Sequence, residues 1–193
     1  MRLVIIPYFS THLLNCAMEI SKGLPKEINI RKIEERDNRE LASIIRSTLK
    51  EFGANKPGTV YYDNTTDSLY QLFEKTPGSI YYVAEYNNEL VGGGGIFPSP
   101  GLPGGTCELV KMYLLKKVRG LGLGRLLIER SLDFAKAYGY TQVYLETMPE
   151  LKLALKAYEK LGFKYIDSAL GNTGHFGCDL FMTLDLNKHE AST

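Results

Sequence analysis

Polar and apolar positions alternate along Asn29-Ile30-Arg31-Lys32-Ile33, the two-residue period of a half-buried strand. The period then lengthens. Leu41, Ile44, Ile45, Thr48 and Leu49 recur at three- and four-residue steps, predicting a helix that Asp37 and Glu40 open as a capping box and Gly53 ends. A loop carrying Lys56-Pro57-Gly58 and Tyr61-Tyr62 leads to a short helix over 66–75, ahead of Pro77-Gly78. Residues 81–86 and 89–97 predict an antiparallel hairpin turning at Asn87-Asn88. Its second strand carries Gly92 to Gly95 in a row. Glycine weakens a strand, so four together predict the close passage of a ligand or of another backbone.

After the Pro/Gly loop at 98–105 the order changes. A strand over 107–115, a glycine turn, a helix over 122–138, a strand over 142–147 and a helix over 151–161 read as a parallel βαβ crossover. Two shorter strands follow, near 164–167 and 178–185. The pattern predicts one α/β domain over 28–187 with a mixed central sheet: antiparallel strands first, the crossover next, and helices on both faces. Residues 1–27 are expected to form an N-terminal arm and 188–193 a tail.

Composition narrows the class. The 193 residues are 44% hydrophobic and 23% charged, with a net charge of +1, an ordinary globular balance without the basic excess of a nucleic-acid or membrane-surface binder. Cys16, Cys107 and Cys178 lie far apart with no CxxC pair, so neither a zinc site nor a disulfide framework is expected, and the default is a reduced, cytoplasmic protein. Residues 2–16 faintly resemble a leader with a lipoprotein box, but Pro7 interrupts the apolar run and the residues before Cys16 are bulky.

The candidate chemistry gathers at Arg119-Gly120-Leu121-Gly122-Leu123-Gly124-Arg125. A strand ends just before it and a helix begins within it. Glycines there let successive N–H groups point into one concavity, where the helix dipole adds positive potential. A phosphate cradle and a simple glycine-softened turn both fit this string. A Walker loop is excluded because Gly124 is followed by Arg125-Leu126, and no third glycine completes a dinucleotide fingerprint.

The strand Glu108-Leu109-Val110-Lys111-Met112-Tyr113-Leu114, the Arg119-x-x-Gly122-x-Gly124 turn and the Ala154-x-x-x-Tyr158-Glu159-Lys160-Leu161-Gly162-Phe163 helix end together resemble the GNAT superfamily of acyl-CoA-dependent N-acetyltransferases. The order of elements from Ile28 to Leu186 is similar to that family's. The resemblance implies acetyl-CoA as acyl donor, without a metal. It places the pantetheine arm on the backbone of Met112, Tyr113 and Leu114, and the pyrophosphate on residues Arg119, Gly120, Leu121, Gly122, Leu123, Gly124 and Arg125. It further implies direct attack by a primary amine within a ternary complex, Glu108 as the base and Tyr158 as the proton donor to the departing thiolate. Glu85, Glu146 and His175 are rival bases. Leu151 stands where many members carry an asparagine that contacts pantetheine.

By the same resemblance the acceptor meets residues 54–67, 98–106 and 171–178, so Tyr61, Tyr62, Glu85, Glu146 and His175 are candidate substrate contacts. The acceptor implied is a small or amino-acid-like amine. A protein lysine or N-terminal amine, and a non-catalytic acyl-CoA sensor, are the alternatives. A homodimer through exposed strands or the N-terminal arm is a further possibility. Cys107 and Cys178 read as buried strand residues, not nucleophiles.

Overall fold

A computed structural model describes residues 27–173 and 177–189. Strands β1 (Ile28–Lys32), β2 (Ile80–Tyr86), β3 (Glu89–Phe97), β4 (Thr106–Leu114), β5 (Gln142–Thr147), β6 (Lys164–Ile166) and β7 (Leu180–Asp185) form a sheet in the order β1-β2-β3-β4-β5-β7-β6. Only β4 and β5 run parallel among these neighbours. The mixed sheet expected from the sequence is therefore present. The expected N-terminal arm lies, but for Glu27, outside the described residues, as do residues 190–193 of the tail.

Helices α1 (Asn38–Glu51), α2 (Leu69–Lys75), α3 (Leu123–Tyr138) and α4 (Lys152–Lys160) complete the chain. Leu41, Ile45 and Leu49 of α1 pack with Tyr81, Val83 and Val110 on one face of the sheet. Ile128 and Leu132 of α3 pack with Ile80, Ile96 and Leu109 on the other. The two-residue alternation along β2 thus decides which helix each side chain meets.

Asp37 stands at the N-cap of α1, as the sequence suggested, but its side chain makes no capping bond to that helix. Its carboxylate accepts from Arg31 at 2.7 and 2.8 Å and from the Glu34 N–H at 2.7 Å, closing a tight turn one step before the helix. The second helix also starts later than expected, at Leu69, because residues Asn64–Ser68 wind as a 3-10 turn opened by the Asp63 side chain. Asn87 and Asn88, both at positive φ, make the expected hairpin turn.

The glycine run resolves in favour of close backbone passage. A Cβ on Gly93 would lie 2.5 Å from the Tyr82 carbonyl oxygen and 2.6 Å from the Tyr81 ring, and one on Gly95 would collide with Ile80 and Tyr81. On the opposite face a Cβ on Gly94 would collide with the Met112 side chain. The glycines seat Tyr81 on the α1 face and Met112 on the α3 face.

Beside them β4 bulges. Gly93 stands opposite Tyr113 and Gly95 opposite Val110, so Lys111 and Met112 together oppose Gly94. Lys111 takes φ +50, an uncommon conformation for a residue with a side chain. The bulge shifts the alternation. Val110 and Lys111 both project to the α1 side, while Leu109 and Met112 join the α3 core.

Candidate active site

Strands β4 and β5 pair only from Thr106 to Glu108 against Gln142 to Tyr144. Beyond that point β5 continues with β7, and β4 runs on alone on that side to Leu114. The opening is a cleft of about 500 Å³ lined by Met112, Tyr113 and Leu114, the glycine turn, Phe52 just after α1, Ala154, Ala157 and Tyr158 of α4, and Leu161 just after it. Its walls are largely apolar with a polar end, the usual make-up of a cofactor site.

The glycine turn supplies that polar end. Gly120 and Gly122 sit at φ +85 and +88, a region that glycine alone enters without strain. The first N–H to find a helical acceptor is Leu126, bonded to the Gly122 carbonyl at 3.1 Å, so the N–H groups of Leu123, Gly124 and Arg125 have no partner within the helix. Gly124 lines the cleft, and a Cβ there would make an ordinary contact with Leu114 at 3.5 Å. These are anion-binding features.

The side chains of the turn do other work. The Arg119 guanidinium grips the Glu51 carboxylate with two 2.8 Å bonds, its Nε donates to the Leu114 carbonyl at 2.9 Å, and the group lies 4.9 Å over the Phe52 ring. Arg119 therefore ties the turn to α1 and to the end of β4. Arg125 pairs with Glu129 one helical turn on. Leu123 is buried in the core beneath the turn, and Leu121 points outward, 38% exposed.

Tyr158 is buried on α4, its ring centroid 5.7 Å from that of Phe163. Burial raises its phenol well above the ordinary value. Its hydroxyl takes no hydrogen bond among the described residues, yet the residue lines the cleft.

A second cavity, about 400 Å³, lies on the α1 side of the same strand. Thr59, Tyr62, Asp63 and Thr65 line it from the 3-10 loops, Leu72 and Phe73 from α2, and Phe97, Ser99 and Pro100 from the end of β3 and the loop after it. Glu108, Val110 and Lys111 of β4 complete the wall with Thr173. Glu108 is only 3% exposed and accepts a hydrogen bond from Ser99. Burial, reinforced by the nearby charge of Glu146, pushes its carboxyl up to about 7 despite the opposing pull of Ser99 and Lys111. A carboxyl group poised near neutrality can take up and release a proton at physiological pH.

Lys111 forms an ion pair with Asp63 in that wall. Burial works against its ammonium and lowers its pKa, with the Asp63 charge resisting. Burial would also raise Asp63, but the charge and hydrogen bond of Lys111, with two bonds from Thr65, hold that carboxyl below its ordinary value.

The candidates named from sequence separate clearly. Glu108 and Tyr62 line the second cavity and Tyr158 the first, while Tyr61 packs in the α1 core with its ring edge against Tyr62 at 5.0 Å. Glu146 accepts from Tyr144 at 2.9 Å and Thr173 at 2.7 Å beside the second cavity. Glu85 is displaced from both cavities: Arg31 and Asn29 hold it at 2.8 and 2.9 Å on the β1 edge, which removes it as a base. His175 lies outside the described residues. Leu151 lines the cleft where a polar contact was in question. Cys107 is buried on β4 as expected, but Cys178 is half-buried and lies ahead of β7, not on a strand; burial pushes both thiols up to about 12, which disfavours the thiolate. No group of three metal-ligating side chains occurs among the described residues, and no helix there is long and apolar enough to cross a membrane.

Sequence reasoning missed Ser99 and Lys111. Ser99 sits in a loop with no local signal for its partner. Lys111 reads as an ordinary strand residue unless the bulge is known.

Comparison with known proteins agrees with this architecture. Residues 41–163 match the model of the acetyltransferase (GNAT) family, and the chain belongs to that family. It is 43% identical over 164 residues to the uncharacterized N-acetyltransferase YjgM of Escherichia coli K12, covering 84% of this chain and 97% of that protein. Among solved structures, a GNAT acetyltransferase from Staphylococcus aureus Mu50 superposes with a TM-score of 0.70 at 20% identity, covering 82% of this chain and 99% of that one. The acetyltransferase yncA of Salmonella typhimurium, solved with its cofactor acetyl-CoA, gives a TM-score of 0.66 at 22% identity over 86% of this chain and 98% of that one.

Proposed function

We propose that this protein moves an acetyl group from acetyl-CoA to a primary amine of a small molecule, with both bound at once against β4. The observation that carries the reading is the position of β4 itself. One stretch of strand, from Glu108 to Leu114, furnishes a buried carboxyl near neutrality to one cavity and unpaired backbone to the other.

Acetyl-CoA supplies an activated acetyl thioester. The residues present suit it: the unbonded N–H groups at Leu123, Gly124 and Arg125 would hold its pyrophosphate, and the free edge of Met112 to Leu114 its pantetheine arm. The neighbouring yncA, solved with acetyl-CoA, supports the choice of donor.

An alkylamine is mostly protonated at neutral pH and must lose a proton before it attacks. Glu108 takes that proton, directly or through one water. The amine nitrogen then bonds to the acetyl carbonyl carbon and the carbon–sulfur bond breaks. The N–H of Met112 stabilises the negative charge developing on the carbonyl oxygen. Tyr158, held protonated by burial, gives its proton to the departing thiolate and takes up the second proton that the nitrogen sheds as the amide forms. A cavity of about 400 Å³ suits a small acceptor.

The test is release of free CoA thiol from acetyl-CoA against a panel of small amines, with wild type, Glu108→Gln and Tyr158→Phe. Amine-dependent thiol release that each substitution lowers by about 10²-fold or more is the expected result, the scale of general acid–base catalysis. Acetyl-CoA binding with no thiol release for any amine would leave a binding module and overturn the reading.

A further inference from the structure

We propose that the acceptor is an amino acid with an apolar side chain, and that Lys111 receives its carboxylate. This rests on the reading of the 400 Å³ cavity as the acceptor's.

Lys111 is the least expected group in that wall. Its side chain is 5% exposed, and an ammonium carries three N–H donors. Asp63 is its hydrogen-bond partner among the described residues. A buried ammonium left with unfilled donors is unfavourable unless another acceptor arrives. The neighbouring carboxylates among the described residues already have other donors. The Asp63 carboxylate also takes the Thr65 N–H and hydroxyl at 2.9 and 2.7 Å. Glu108 accepts from Ser99 through its Oε2.

The backbone is bent to bring the ammonium there. Regular alternation would turn Lys111 away from Val110 and into the α3 core. The bulge at φ +50 turns both to the same side. Strain of this kind persists where the surroundings over-determine it, and it gathers at functional sites.

The remaining walls describe the rest of the ligand. Glu108 lines the same cavity, and the charges of Glu108 and Lys111 are close enough to influence each other. An acceptor with its ammonium at Glu108 and its carboxylate at Lys111 adds no net charge to a pocket whose Lys111–Asp63 pair is already neutral. Leu72, Phe73, Phe97 and Val110 offer an apolar surface for a side chain.

The test pairs each amino acid with the amine it yields on decarboxylation: phenylalanine with 2-phenylethylamine, leucine with 3-methylbutylamine, methionine with 3-methylthiopropylamine. The readout is kcat/KM for CoA release by the full chain. Wild type is expected to favour the amino acids by about tenfold or more, the scale of a hydrogen bond to a charged group. Lys111→Met/Asp63→Asn removes the preference without leaving an unpaired carboxylate buried, and Lys111→Arg retains most of it. In each variant the readout is the ratio of kcat/KM for the amino acid to that for its amine, which the double variant is expected to lower to about one and Lys111→Arg to leave near the wild-type value. Equal use of both classes by wild type, or equal losses for both in the double variant, would overturn the assignment while leaving amine acetylation intact. Failure of every acid and amine would overturn the acceptor reading of the cavity and this proposal with it.

Discussion

The Tyr81 hydroxyl donates a 2.9 Å hydrogen bond to the carbonyl of Lys111, at the centre of the β4 bulge. The Tyr81 ring reaches that point over Gly93 and Gly95, where any side chain would block it. The bond fixes the peptide between Lys111 and Met112, and with it the Met112 N–H that the mechanism directs at the acetyl oxygen. Tyr81→Phe should therefore lower kcat and leave KM for acetyl-CoA little changed, while weakening the fold by about 1–3 kcal/mol through the unsatisfied buried carbonyl. Steady-state kinetics with a urea melt measure both. A stability loss with unchanged kcat would confine the bond to a structural role.

The glycine run carries its own prediction. Gly93→Ala places a Cβ against the Tyr82 carbonyl and the Tyr81 ring, and β2 must move to admit it. Overpacking of this kind destabilises by roughly 1–3 kcal/mol. Denaturant midpoints should show the loss for Gly93→Ala and little change for Gly104→Ala, a surface glycine whose added Cβ would meet nothing within 4 Å.

Much of this arrangement was legible in the sequence, because periodicity reports burial. The hairpin at Asn87-Asn88, the βαβ crossover and the glycine turn follow from local chemistry and were found within a few residues. The β4 bulge was not legible, since nothing in Val110-Lys111-Met112 departs from a strand pattern. Its cause lies across the sheet, in the room that Gly94 makes for Met112. The bond between Asp37 and Arg31 was hidden for a similar reason. Asp37 does join a capping box, but with Glu34 before it and not with Glu40 after it, and its carboxylate also holds Arg31. The pairing of Arg119 with Glu51, far off in the chain, was likewise out of reach of local pattern.

Glu108 predicts a pH dependence with a definite sign. The ionised form is the base, so kcat/KM should rise with pH through an inflection near 7, where burial has placed the group. Glu108→Gln should lower the rate and remove that inflection. Stability should move the opposite way. An acid that holds its proton more tightly when folded loses stability as pH rises from its unfolded value, ordinarily 4.5, through its folded value near 7. Wild type should therefore lose ground to Glu108→Gln across that window, read from urea midpoints on either side of it. Parallel midpoints for the two proteins would contradict the buried, shifted carboxyl.

The central claim is that the glycine turn and the open edge of β4 hold acetyl-CoA. The most direct measurement is thermal unfolding of the full chain with increasing acetyl-CoA, beside Gly124→Leu, which adds a bulky side chain to the lining of the cleft at a position where the backbone tolerates a Cβ. At 100 times its dissociation constant the ligand adds ~2.7 kcal/mol, which for a domain of this size raises the melting point by roughly 5–10 °C. The account predicts that rise for wild type, none with ATP or NAD, and none for a folded Gly124→Leu. An unchanged melting point for wild type in millimolar acetyl-CoA, or an equal rise in Gly124→Leu, would contradict it.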